Sequence, residues 1–249
     1  MLNGGSASPI DDLMDRASLA LAQADYFQSE RLCVRALGAA RAAGDFERMA
    51  RICLPLLEAR RQKRQLAESG GRVIVVSAVP GRSLPAEPAC YLFRPPTIAL
   101  EARAFREQAD RRAVPALVLC REPMTRAGKW PIAAVGESRL IGMTTVRVQV
   151  DPPAGVSFTG EGPTRDGPEL TPSVEWFTAA AEALGDGAIA KVNPKLPAAF
   201  RVDDLMAALD AFPDHEKLHQ RLEETCRQAA LEPPPTTTLP REWIDSDYR

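Results

Sequence analysis

The chain has two histidines, and both fall in the run His215-Glu216-Lys217-Leu218-His219. On a helix, imidazoles four residues apart lie one turn apart on one face and can share a zinc ion. The glutamate after the first can then take a proton from metal-bound water. The chemistry implied is zinc-dependent hydrolysis. Three features oppose it. Lys217 places a charge inside the motif, and Pro213 puts the motif in the first turn of a helix. The acids downstream, Glu232, Glu242 and Asp245, lie in a proline-rich tail where no third ligand stands out. No nucleophile stands beside a base, and no paired catalytic carboxylates are evident. Zinc hydrolysis through His215, Glu216 and His219 is therefore a second alternative; the expectation is a non-enzymatic chain without cofactor or metal.

Cations form the next cluster. Arg94-Pro95-Pro96-Thr97 and the loop from Arg121 to Trp130 each follow a short apolar run. Such runs read as buried strands, and ligands gather beyond the carboxyl ends of parallel strands. Arg94, Thr97, Arg121, Arg126 and Lys129 are thus candidate ligand-binding residues. They would act with a helix N-terminus capped by Thr97 to hold a small anion or nucleotide, and Trp130 would offer a stacking surface. The plainer reading is a charged loop balanced by Glu122 and solvent. A further basic run, Glu58-Ala59-Arg60-Arg61-Gln62-Lys63-Arg64-Gln65, reads as the solvated face of a helix, ahead of an acidic partner or nucleic acid. No aromatic residues interleave with it.

The elements that must position these groups centre on residues 70–152, the small sheet domain. Arg72–Ser77, Ala89–Arg94, Ala116–Cys120, Pro131–Val135 and Met143–Val150 read as strands. Between the second and third, Ile98, Ala102, Phe105 and Ala109 recur at helical spacing, with Val114-Pro115 as the stop. Strand, helix and strand joined by short loops make a parallel crossover. In the last run, Thr144, Val146, Val148 and Val150 alternate with Thr145, Arg147 and Gln149, one face buried and one wet. The fold class is α/β, with mixed α+β as the alternative: a small mixed sheet of about four or five strands with one parallel β-α-β crossover and helical flanks.

Residues 1–9 read as disordered and 10–69 as three helices, the first capped by Asp11 or Asp12. Pro55 is a kink or split in the third. Residues 153–172 read as a linker, since Gly160-Glu161-Gly162-Pro163 suits neither helix nor central strand. Residues 173–231 are helical, with a break at Gly185-Asp186-Gly187 and Asp214 capping the last helix. Residues 232–249 form an extended tail in which Trp243 and Ile244 are anchors.

Spacing adds one resemblance. Leu13, Ala17 and Ala20 recur as Phe46, Ala50 and Cys53 at a shift of 33 residues, close to the period of helix-turn-helix arrays. With Ala24-Asp25-Tyr26 at the turn and Ser29 and Ala36 as small packing positions, Ile10–Arg61 resembles a tetratricopeptide repeat. The usual tryptophan is Leu13, and the second repeat has no clear second helix. Ala208, Pro213, His219, Leu222 and Cys226 resemble a junction between two such repeats, across Val202–Ala230. In that register His219 is a core residue. The resemblance implies a helical surface that holds a protein or peptide.

Composition sets the remaining limits. An apolar share of 45% and a charged share of 26% allow a sizeable core. A net charge of −2 supplies no global field toward nucleic acid or anionic membrane. Five cysteines without a CxxC pair, each on an apolar face, read as reduced buried thiols. No run approaches membrane-spanning length and no signal-peptide core opens the chain. The expectation is a cytoplasmic interaction or adaptor protein with protein or peptide partners. A small anionic ligand is the alternative, nucleic acid ranks below both, and no membrane partner is expected.

Overall fold

Each apolar run of the central block becomes a strand. In the computed structural model, which describes residues 8–77, 87–138, 142–156 and 171–233, these are β1 (Val73–Val76), β2 (Ala89–Phe93), β3 (Ala116–Arg121), β4 (Trp130–Ser138) and β5 (Gly142–Val150). Helices α1 (Pro9–Ala22), α2 (Tyr26–Ala42) and α3 (Phe46–Glu68) precede them. Helix α4 (Ala99–Arg111) joins β2 to β3, and α5 (Val174–Lys191), α6 (Ala198–Ala211) and α7 (Glu216–Leu231) follow. The expectations for residues 1–7, 157–170 and 234–249 lie outside the described residues.

The fold is α/β, with a mixed sheet in the order β1-β2-β3-β4-β5. The first three strands are parallel, and β4 and β5 are antiparallel to their neighbours. β2 is buried on both faces, which is why it reads as a continuous apolar run. Along it Cys90 and Leu92 face one core, shared with Leu117, Leu119, Ile132 and the helices α2, α3, α5, α6 and α7. Tyr91 and Phe93 face a smaller core under α4, where Phe105 sits 4.8 and 5.0 Å from their ring centroids.

The sheet is split. β4 and β5 pair over nine residues, Trp130↔Val150 to Ser138↔Gly142. β3 and β4 pair only at Cys120↔Ala133 and Arg121↔Ile132. Past Ala133 the Val135 carbonyl accepts from Arg103 Nη1 instead (3.1 Å). The C-terminus of α6 packs against Gly136, where a Cβ would lie 2.8 Å from Ala211 N. Arg106 of α4 closes this end by donating to the Ala211 and Asp210 carbonyls at 2.9 and 3.0 Å. Arg103 adds a 2.6 Å bond to Asp210 Oδ2. Two guanidiniums thus satisfy the last carbonyls of α6.

Several local expectations are corrected. Ser8, not Asp11 or Asp12, caps α1, accepting from Ile10 N (3.4 Å) with Pro9 at the first helical position. Asp25 and Asp45 cap α2 and α3 through Gln28 N and Arg48 N. Pro55 stands inside an unbroken 23-residue α3, held by the buried stripe Ile52, Cys53, Leu56 and Ala59 on either side of it. α5 runs through Gly185 and Gly187 without a break. The glycines mark close packing there, not a turn.

The helices form an antiparallel row. α2 lies between α1 and α3, and the α2–α3 turn passes through Gly44 in the left-handed region (φ +68°). α7 runs antiparallel along α3: Cys53 meets Cys226, Arg60 meets His219, and Arg61 meets Glu216. α6 then runs back along α7, joined by Arg201 to Gln228 (2.9 Å) and by Glu232 Oε2 accepting from Ala198 N (2.8 Å). The second helix that the α3 hairpin lacks in sequence is supplied from the other end of the chain.

Candidate functional site

The histidine motif sits where α7 begins, and its first histidine is the N-cap; Asp214, expected in that role, is not. His215 Nδ1 accepts from Leu218 N at 3.3 Å, so its hydrogen is on Nε2. The ring is fully buried and lies on Gly185, where a Cβ would come 2.1 Å from the ring Cγ. Nε2 faces Glu182 Oε2 at 3.3 Å and Asp186 Oδ1 at 3.4 Å without reaching hydrogen-bond geometry to either. Burial lowers the His215 pKa against the pull of Glu182 and Asp186. His219 Nδ1 donates to the His215 carbonyl at 3.0 Å, and Nε2 accepts from Arg60 Nη1 at 3.1 Å. Burial, with the Arg60 charge, pushes His219 down to about 3.

Both imidazoles have therefore placed their one lone pair on an N–H donor. Neither ring has one left for a metal. Glu216 faces Arg61 (3.5 Å), and Glu232 caps α6. Among the described residues no group of three or more His, Cys, Asp or Glu side chains is arranged to hold a metal ion. His219 packs with Leu222 and Cys226, all within 1% of complete burial.

The basic run of α3 is corrected in part: Arg61 and Gln65 are exposed, but the face that carries Arg60 and Lys63 is buried. Arg60 and Lys63 are 8% and 7% exposed. Glu30 of α2 accepts from Arg60 Nε (2.8 Å) and Lys63 Nζ (2.5 Å), and Lys63 also reaches Asp110 Oδ1 of α4 (2.6 Å). Lys63 lies over the Phe27 ring at 4.5 Å. Burial alone would raise the Glu30 pKa, but Arg60 and Lys63 outweigh it and bring it to about 2. Arg64 bonds Glu68, Glu182 and the Asp214 carbonyl at 2.9, 2.7 and 3.3 Å. The signal was present in the spacing. Leu56, Ala59, Arg60, Lys63 and Ala67 form one buried stripe, and cations on it require internal carboxylates. Beside it α3, α5 and α7 leave an open depression of about 490 Å³, whose cations Arg61, Arg64 and Lys217 pair with Glu216, Glu182 and Asp186.

The carboxyl edge of the parallel strands is less open than expected. Phe93 pairs with Cys120, so Arg94 and Arg121 follow side by side at the ends of β2 and β3. Arg121 is 4% exposed and lies over Trp130 at 4.4 Å. Trp130 packs edge-on to Trp176 of α5 (5.4 Å). Thr97 is not the helix cap. Its Oγ1 donates to the Arg94 carbonyl (2.5 Å), while Ile98 occupies the cap and its N–H bonds Glu101 Oε2 (2.9 Å). The helix N-terminus is thus filled by its own carboxylate. Lys129 pairs with Asp151 (2.6 Å), Glu122 pairs with Arg147 (2.5 Å), and Arg126 is exposed in the turn. The structure brings together Arg94, Thr97, Arg121 and Trp130. Trp130 Nε1 is buried and has no acceptor.

All five thiols are buried and free. Burial raises Cys33 to about 11 and Cys90 and Cys120 to about 12, which keeps them as inert thiols at neutral pH. Among the described residues no helix is long and apolar enough to cross a membrane. No family model matches the chain, and no curated protein or solved structure matches it.

Proposed function

We propose that the protein is a non-catalytic interaction or adaptor protein whose helical row holds a protein or peptide partner. One observation carries this reading: α7 lies antiparallel along α3, so α1–α2 and α3–α7 stack as consecutive hairpins, with α3 against the sheet. The charged groups with catalytic potential serve this packing. His215 caps a helix, His219 is held by Arg60, and Glu30 fixes α2 to α3. The stacked hairpins leave Leu54 of α3 and Val34 of α2 outward at 66% and 45% exposure. Affinity capture from the source cell, with the wild type and Leu54→Arg in parallel, tests the reading. The expected result is a reproducible partner on the wild type that is lost from the variant. Absence of any specific partner on the wild type ends the reading.

A second reading, a small-anion or nucleotide site at the carboxyl edge, is favoured by Trp130. A buried indole N–H without an acceptor costs about 1–3 kcal/mol, and here it stands beside the Arg121 guanidinium. Thermal-shift titration with inorganic phosphate and with nucleotides reads this site. A saturable rise in Tm in the wild type that is absent in Arg121→Ala supports it, and no rise with any of them excludes it.

A further inference from the structure

The strand β5 closes the sheet. β4 pairs with it on one side, and among the described residues no strand lies on the other. Edge strands are usually kept short or carry proline, lysine or a bulge, because their free N–H and C=O groups recruit other strands. β5 is nine residues long, contains neither proline nor lysine, and its one charge is Arg147. Its inner side chains are buried at Val146 and half-buried at Thr144, Val148 and Val150. Val146 is 3% exposed, and α5 passes over the strand so closely that a Cβ on Gly187 would touch Val148 at 3.6 Å. Its outer side chains, Met143, Thr145, Arg147 and Gln149, are exposed. Among the described residues the strand is paired on one flank and covered on one face, and nothing pairs with its second flank.

We propose that β5 pairs antiparallel with β5 of a second copy of this chain, about a twofold axis through Val146. The sheet then continues from one copy into the other, with both α5 helices on the same face. Charge and length select this register. With the axis at Val146, all residues from Gly142 to Val150 find a partner. Val146 meets Val146, Thr144 meets Val148, Thr145 meets Arg147, and Met143 meets Gln149. Inner side chains meet inner ones, as one continuous sheet demands, and no like charges stand opposite. Moving the axis to Arg147 sets two guanidiniums against each other and shortens the ladder. The Arg147 charge is further balanced by Glu122 of its own chain (2.5 Å).

Light scattering and sedimentation equilibrium on the full chain test the pairing. The wild type is expected to form a dimer. Thr145→Lys places a cation opposite Arg147 twice per interface and raises the dimer Kd about tenfold, whereas Thr145→Glu places an acid there and lowers it by a similar factor. Position 145 is exposed, so both variants are expected to fold, which circular dichroism verifies. A wild type that stays monomeric at all concentrations overturns the proposal. So does a dimer that responds to the two variants alike.

Discussion

The imidazole of His215 occupies the space in which a side chain at position 185 would stand, its Cγ lying 2.1 Å from the place of a Cβ on Gly185. A glycine inside α5 and a histidine ahead of α7 are thus one packing unit. Gly185→Ala must displace a buried ring or separate two helices, and overpacking of this kind destabilises by about 3 kcal/mol. Gly187→Ala is the contrast. Its nearest neighbour is Val148 at 3.6 Å, an ordinary contact, so the alanine gains helix propensity and stabilises by up to about 1 kcal/mol. Urea unfolding of the two variants reads both effects.

Acid should weaken the protein before its carboxylates titrate. His219 is held at about 3 and His215 is also lowered, while in the unfolded chain both titrate near 6.5. Between those values the unfolded state binds more protons, so this stability is complete above pH 6.5 and is lost as pH falls. For His219 alone the loss reaches about 2 kcal/mol by pH 5. Asp214, whose carboxyl burial raises, acts in the opposite direction. Urea midpoints measured from pH 7.5 to 5 should fall steadily, and His219→Gln should flatten the slope.

Glu30 is the acid on which two buried cations depend. Glu30→Gln leaves Arg60 without its carboxylate and Lys63 with Asp110 alone. Removing one partner of a buried ion pair costs about 3–5 kcal/mol. Thermal unfolding should show a large fall in Tm, with the Glu30 contribution lost in the wild type as pH drops from 4.5 toward 2.

Zinc should not associate with the histidine motif. The lone pairs of His215 and His219 accept from Leu218 N and Arg60 Nη1. Elemental analysis of purified protein is expected to give less than a stoichiometric amount of zinc, and added zinc is expected to leave Tm unchanged. One equivalent of bound zinc lost in His219→Gln would contradict the assigned hydrogen bonds.

Most of the sheet was legible because its signals are local. The runs around Val73, Tyr91 and Val118 are short and β-branched or aromatic, and the alternation from Thr144 to Val150 shows directly in the burial of β5. What was hidden depends on contacts between distant residues. Gly185-Asp186-Gly187 looks like a helix break until His215, some thirty residues on, is seen to need the gap. Arg60 and Lys63 look solvated until Glu30 and Asp110 arrive from two other helices. At the rim Arg94 and Arg121 follow the ends of neighbouring strands, while the place of Glu101 at the helix N-terminus depends on where α4 begins.

The place of α7 beside α3 has a consequence for synthesis. The face of α3 that carries Cys53 is covered by a helix containing Cys226, so a growing chain emerges with that apolar flank bare until the whole sheet block and then α7 have been translated. The sheet block is spliced into the helical row, and the row closes only when α7 arrives.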